Sequence, residues 1–231
     1  ALRDGLVAAL GVSDPVVRAA ALDVLRALLL GDAPLFAGLL TDSDITVRIE
    51  AVRALVSVDA AEELARAATT DPSREVRVTV ARGLATVWAA RPAPAARPAP
   101  VDPASAETAP GPVLAALTDL VDDPDALVRA AAYGALGTTG CPPLLTAHAV
   151  AALADPVWQV RAGAATALSA ADADTAVPAL AKALADPNAD VRKAAVLALT
   201  RHTGTEEARA ALATATTDSD ADVRAYAIRA L

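Results

Sequence analysis

Apolar and small residues recur at four-residue steps behind a repeated Val-Arg pair, and polar residues fill the stretch in front of it. The pair occurs at Val17-Arg18, Val47-Arg48, Val76-Arg77, Val128-Arg129, Val160-Arg161, Val191-Arg192 and Val223-Arg224. The arginines are 30, 29, 52, 32, 31 and 32 residues apart, so the long interval is one period of 31 with 21 residues added. A fixed period of this size marks a stack of repeated supersecondary units. Relative to each Arg, position −1 is Val, position +3 is Ala in all copies but one (Val80), and position +7 is Leu. Steps of four place these residues on one face of a helix. Position +6 is small in most copies, as at Ala54, Gly83 and Ala167, which lets a neighbouring helix come close.

The polar stretch sets where each helix begins. Four residues before each Arg stand Asp14, Asp44, Ser73, Asp125, Val157, Asn188 and Asp220, and all except Val157 are good N-caps. Two residues earlier, Asp42, Asp71, Asp123, Asp155, Asp186 and Asp218 precede a Pro or Ser and close a tight turn after an earlier helix. Those earlier helices read as "LVAAL", "PLFAGLL", "EELARAA", "VLAALTDLV", "LLTAHAVAAL", "AVPALAKAL" and "EEARAALATA". The pattern therefore predicts an all-α fold of seven helical hairpins stacked into a right-handed α-α superhelix, because no single hairpin can bury its own apolar faces.

The added residues do not share the period. Residues 89–112 hold seven of the chain's sixteen prolines. We expect a Pro/Ala-rich disordered insertion over 91–111, dividing repeats 1–3 (1–90) from repeats 4–7 (112–231), with the second block stacked on the first as one solenoid.

"DP-x-x-x-VR-x-x-A-x-x-AL" resembles the HEAT-like repeats of phycobilin lyase type, an armadillo-like family of α-solenoids. That resemblance implies second helices lining a concave face and a ladder of Asp and Arg between neighbouring repeats. Its members here are Asp42, Arg48, Asp71, Arg77, Asp123, Arg129, Asp155, Arg161, Asp186, Arg192, Asp218 and Arg224. It also raises two enzymatic relatives by architecture. An iron-dependent hydroxylase of this type requires His-Glu pairs, whereas His148 precedes Ala149 and His202 precedes Thr203. An alkyl-base DNA glycosylase would require a basic concave surface. Residues 1–90 instead carry nine basic against twelve acidic residues, and residues 113–231 nine against fourteen.

Composition narrows the function further. The net charge of −8 argues against a generic phosphate-backbone binder. Aromatics make up 2%, and a single cysteine permits no internal disulfide. "DSD" at 42–44, "DDPD" at 122–125 and "DSDAD" at 218–222 resemble the start of a calcium loop. In the last of these, however, Val223 stands where a sharp-turn Gly belongs and Arg229 where the bidentate Glu belongs, so the carboxylates read as helix caps. No phosphate-binding loop or nucleophile motif is present, and Cys141 in "GCPP" reads as a small residue at a helix start. The absence of Met and the end at Leu231 in mid-motif suggest a trimmed or processed piece.

What remains is a binding surface on the second helices. Position +5 runs Asp23, Arg53, Arg82, Gly134, Thr166, Leu197 and Arg229, and position +1 includes Ile49, Val78, Ala130, Ala162 and Lys193. Small residues at Gly134, Gly137, Thr138, Ala162, Thr166 and Ser169 suggest a smooth trough for an extended peptide or a partner helix. Trp158 follows the one residue that cannot cap, and tryptophan is favoured at binding hot spots. The sequence thus reads as a cytoplasmic, bacterial, non-catalytic scaffold without cofactor or metal. It binds protein or peptide rather than nucleic acid or membrane, through Arg53, Arg82, Trp158, Lys193 and Arg229. It is a monomer or a weak homo-oligomer through the C-terminal stripe; an accessory or enzymatic role of lyase or hydroxylase type is the alternative.

Overall fold

A computed structural model describes residues 1–68, 70–90 and 111–231, so the expected insertion lies outside the described residues apart from Gly111. Among the described residues there is no β-strand. The α-helices in chain order are α1 (Leu2–Ala9), α2 (Pro15–Ala27), α3 (Ala33–Gly38), α4 (Ile45–Ser57), α5 (Ala61–Ala68), α6 (Arg74–Ala90) and α7 (Pro112–Val121). They continue with α8 (Ala126–Thr139), α9 (Pro143–Ala152), α10 (Trp158–Leu168), α11 (Ala173–Ala183), α12 (Ala189–Leu199), α13 (Glu206–Ala215) and α14 (Ala221–Ala230).

The chain forms two compact units, Ala1–Leu120 and Val121–Leu231. In the first, α2 packs on α4 and α4 on α6, while α3 and α5 form the other layer. In the second, α8, α10, α12 and α14 pack in succession, and α9, α11 and α13 make the second layer. Each unit is therefore two layers of helices joined by turns, the arrangement that buries the apolar faces of otherwise unstable hairpins.

The four-residue stripe is the core of each unit. Leu25, Leu55, Leu84, Leu136, Leu168 and Leu199 are all 0% exposed, as are Ala51, Ala132, Ala164, Ala195 and Ala227. Truncating one of these leucines to Ala would cost about 2–5 kcal/mol, because the packed neighbours collapse only partly into the void. Small residues then set how near the second helices lie. A Cβ added at Gly163 would come within 2.7 Å of the Ala130 carbonyl oxygen, and one at Gly137 within 2.3 Å of the Thr166 carbonyl oxygen. Backbone therefore meets backbone between α8 and α10, and these glycines serve close packing.

Five of the expected caps act where the sequence places them. Asp14, Asp44, Asp125, Asn188 and Asp220 each accept a hydrogen bond from a backbone N–H in the first turn of their helix. Val157 has no side chain that can do so, and α10 begins without a side-chain cap.

The turn ladder and the second-helix face

Six of the turns share one construction. The Asp that opens each turn accepts, through Oδ1, the N–H of the residue two positions on, at 2.8 Å for Asp42, Asp71, Asp123, Asp155 and Asp186 and 2.7 Å for Asp218. Six residues after that Asp, the Arg of the Val-Arg pair folds back and donates Nη1 to the Asp carbonyl oxygen. The distances are 2.8 Å for Arg48, Arg77 and Arg129, 2.9 Å for Arg161, 3.0 Å for Arg192 and 2.7 Å for Arg224. A guanidinium fixed in this way presents its Nε and Nη2 edge outward, in the fork geometry that matches a carboxylate.

That edge meets the turn of the next hairpin. Arg48 donates to Asp71 at 2.8 and 3.2 Å, Arg161 to Asp186 at 2.7 and 3.0 Å, and Arg192 to Asp218 at 2.8 Å through both nitrogens. Arg129 donates both nitrogens to Oδ2 of Asp155, at 3.2 and 2.9 Å. Arg18 forks onto both oxygens of Asp42, Nε to Oδ2 at 2.9 Å and Nη2 to Oδ1 at 2.7 Å. Arg18 was not among the ladder residues picked out from sequence, although it shares their register. The hydrogen bonds from Arg18 and Arg192 hold the Asp42 and Asp218 carboxyls below the ordinary carboxylate range, against the opposing pull of burial. At Asp186, burial is the largest single influence and pulls upward. The Arg161 bond, the Asn188 N–H and the nearby guanidinium charges together outweigh it, and its carboxyl is also lowered. Arg224 makes its two backbone bonds, to Asp218 and Ser219, and pairs with no carboxylate among the described residues.

The remaining chemistry-bearing side chains are occupied in packing. His202 is buried with Nε2 3.0 Å from the Leu168 carbonyl oxygen, which can only accept, so Nε2 carries the proton. His148 lies with Nδ1 3.2 Å from the Leu144 carbonyl oxygen. Burial pushes the Cys141 thiol above its ordinary range, opposite to what a nucleophile needs. Among the described residues no three His, Cys, Asp or Glu side chains gather as a metal-binding group, and no helix is long and apolar enough to cross a membrane.

The outward face of the second helices differs from the turns. In the second unit it forms an open groove of about 800 Å³ across α8, α10 and α12, lined by Gly137, Thr138, Thr166, Ser169, Lys193, Ala194, Leu197 and Arg201 among others. Of the five residues expected to contact a partner, only Lys193 lines it. Lys193 is also surrounded by carboxylates: Asp222 at 3.2 Å, Asp190 at 3.5 Å and Asp220 at 3.7 Å. Trp158 is 38% exposed as the first residue of α10, and Arg229 is exposed on α14, but neither lines the groove. In the first unit Arg53 and Arg82 are exposed on α4 and α6, and Arg53 is paired with Glu50. Arg201 went unnoticed in the sequence because it lies nine residues past Arg192, beyond the positions that repeat.

Two layers of helices, the two helices of successive hairpins joined by closely similar turns, define an α-repeat protein of the solenoid class. Residues 146–231 match the HEAT repeats family, so the C-terminal repeats are HEAT-like. Solved structures share the fold over most or all of the sequence. A crystal structure of an engineered protein is 23% identical over 100% of this chain and 67% of its own, with a TM-score of 0.57. The YibA protein of Escherichia coli is 22% identical over 90% of this chain and 73% of its own, with a TM-score of 0.58. At these identities the likeness is one of fold alone. No curated protein matches the sequence.

Proposed function

We propose that this protein is a non-catalytic scaffold that binds protein or peptide on the outward face of its second helices. The observation that carries this reading is the groove across α8, α10 and α12, which offers small residues, hydroxyls, an exposed leucine and basic side chains over several repeats. Extended surfaces assembled from equivalent positions of stacked repeats are how such proteins recognise partners. The polar residues of the turns are consumed by the hydrogen bonds within and between hairpins, which leaves the helix face as the variable surface. Lys193 contributes contacts within the groove, and Arg53, Arg82, Trp158 and Arg229 beside or beyond it. Cytoplasmic residence in a bacterium belongs to the same reading, and rests on composition.

Affinity capture tests it, comparing the wild type with folded variants carrying Arg53→Glu with Arg82→Glu, Trp158→Ala, or Leu197→Asp. A protein retained by the wild type and lost from at least one variant supports the scaffold and locates its face. The same proteins on all four, or a small molecule or metal copurifying in place of any protein, overturns it.

A further inference from the structure

The groove of the second unit makes three chemical demands on its occupant. The first concerns its hydroxyls. Thr138 donates to the Ala135 carbonyl at 2.9 Å, Thr166 to the Ala162 carbonyl at 2.9 Å, and Ser169 to the Gly137 carbonyl at 3.2 Å. With their protons engaged, these oxygens face the groove as acceptors, and they sit near the C-terminal ends of α8 and α10, where helix dipoles add negative potential. A ligand there must supply N–H donors. A free inorganic anion is disfavoured.

The second demand comes from Leu197, which is 48% exposed between Ala194 and Ala198 and asks for an apolar side chain. The third comes from the two cations, which differ. Lys193 is neutralised by three aspartates, whereas Arg201 is exposed and has no ion pair among the described residues. Arg201 therefore asks for a carboxylate. Leu197 lies in the last turn of α12 and Arg201 in the 3-10 turn that follows it, two residues at about 1.5 Å and two at about 2 Å, about 7 Å of rise. Side chains two apart on an extended strand point to the same side at about 6.7 Å, which matches that spacing.

We propose that this groove binds an extended peptide segment carrying an apolar residue and, two positions away, an aspartate or glutamate, the apolar side chain seated on Leu197 and the carboxylate held by Arg201. The proposal rests on the scaffold reading and specifies its ligand. From Asp190 along α12 and the 3-10 turn to Arg201 the face runs about 17 Å. An extended chain of about five residues covers that length.

The test pans a random heptapeptide phage library on the immobilised full chain, and then measures binding of individual fluorescein-labelled peptides by anisotropy. Enriched peptides are expected to share the apolar-x-acidic pattern. They should lose about tenfold or more in affinity on Arg201→Glu and on Leu197→Asp, each checked for native circular dichroism. Replacing the peptide's acidic residue by Lys should restore binding to Arg201→Glu and abolish it on the wild type. Peptides that lack an acidic residue, or that bind both variants as well as the wild type, overturn the groove assignment and leave the scaffold reading standing. If no peptide is enriched, the groove assignment falls, and the scaffold reading then depends on the protein-capture experiment alone.

Discussion

The turn edge and the second-helix face are built from the same repeats, yet they use their polar residues in opposite ways. At the turns, the Arg161 guanidinium donates to Asp155 and Pro156 of its own hairpin and to Asp186 of the next, so every nitrogen is engaged. On the face, Arg201 has no ion pair among the described residues, and Leu197 is half exposed. The turns repeat one solution and the face repeats none. In a stack of near-identical units, what recurs at every period is what stacking requires, and what varies is free to be selected for contact with something else.

Acid should break this contrast most severely, because it acts on several ladder carboxylates together. Asp42, Asp186 and Asp218 are held below the ordinary carboxylate range in the folded protein. Their contribution to stability is therefore fully present above the unfolded value of about 4, and is lost as pH falls through the lower folded values. Melting temperature followed from pH 7 to pH 2 should fall steeply below about pH 4, and Asp186→Asn should flatten part of that fall. A melting temperature unchanged at pH 3 would remove the ladder from the account of stability. At neutral pH, Arg161→Ala should cost about 3 kcal/mol by chemical denaturation, since it strands a largely buried Asp186 carboxylate and two carbonyls. Arg53→Ala on the open face should stay within about 0.5 kcal/mol.

How much of this was legible depended on whether a property repeats. The leucine stripe, the caps and the Asp–Arg spacing could be read directly, because each is enforced seven or nearly seven times by the same local geometry. Exposure at the margins could not. Val17 holds the register of Val47, yet it is 42% exposed where Val47 is 0%. A period says which face a residue occupies, and is silent on how many neighbours cover it. Lys193 read as a free contact residue because its own helix gives no hint that Asp220 and Asp222, nearly thirty residues later, approach its ammonium. Arg201 was passed over for the opposite reason, since it sits in a short turn after α12 that no other repeat reproduces.

Two glycines on the second helices sharpen the division between packing and face. Gly163 lies against α8, where an added Cβ meets the Ala130 oxygen at 2.7 Å and the Tyr133 Cβ at 3.3 Å. Gly134, on α8 itself, has nothing within 4 Å of the same position. Gly163→Ala should therefore force the helices apart and destabilise by about 2 kcal/mol. Gly134→Ala should stabilise by about 0.5–1 kcal/mol, through the helix preference of alanine. Equal effects at the two sites would show that the approach of α8 and α10 is not limited by backbone contact.

A last, small effect tests the turn whose cap residue departs from the others. Val157 opens α10 without a side-chain cap, although Asp155 still accepts its N–H and Arg161 still closes the turn. The departure is thus confined to the first-turn N–H groups and leaves the ladder intact. Val157→Asp supplies the missing acceptor at the positive end of the helix dipole, and should stabilise by about 1 kcal/mol. For a chain of this size that is a rise in melting temperature of about 2–4 °C. If stability rises while binding is retained, valine at this turn is a tolerated defect. If stability rises while capture of a partner is lost, Val157 and the adjoining Trp158 have been kept uncapped and apolar for contact, and the binding face extends from the groove to the start of α10. A variant no more stable than the wild type would mean that water already satisfies those N–H groups as well as a carboxylate does.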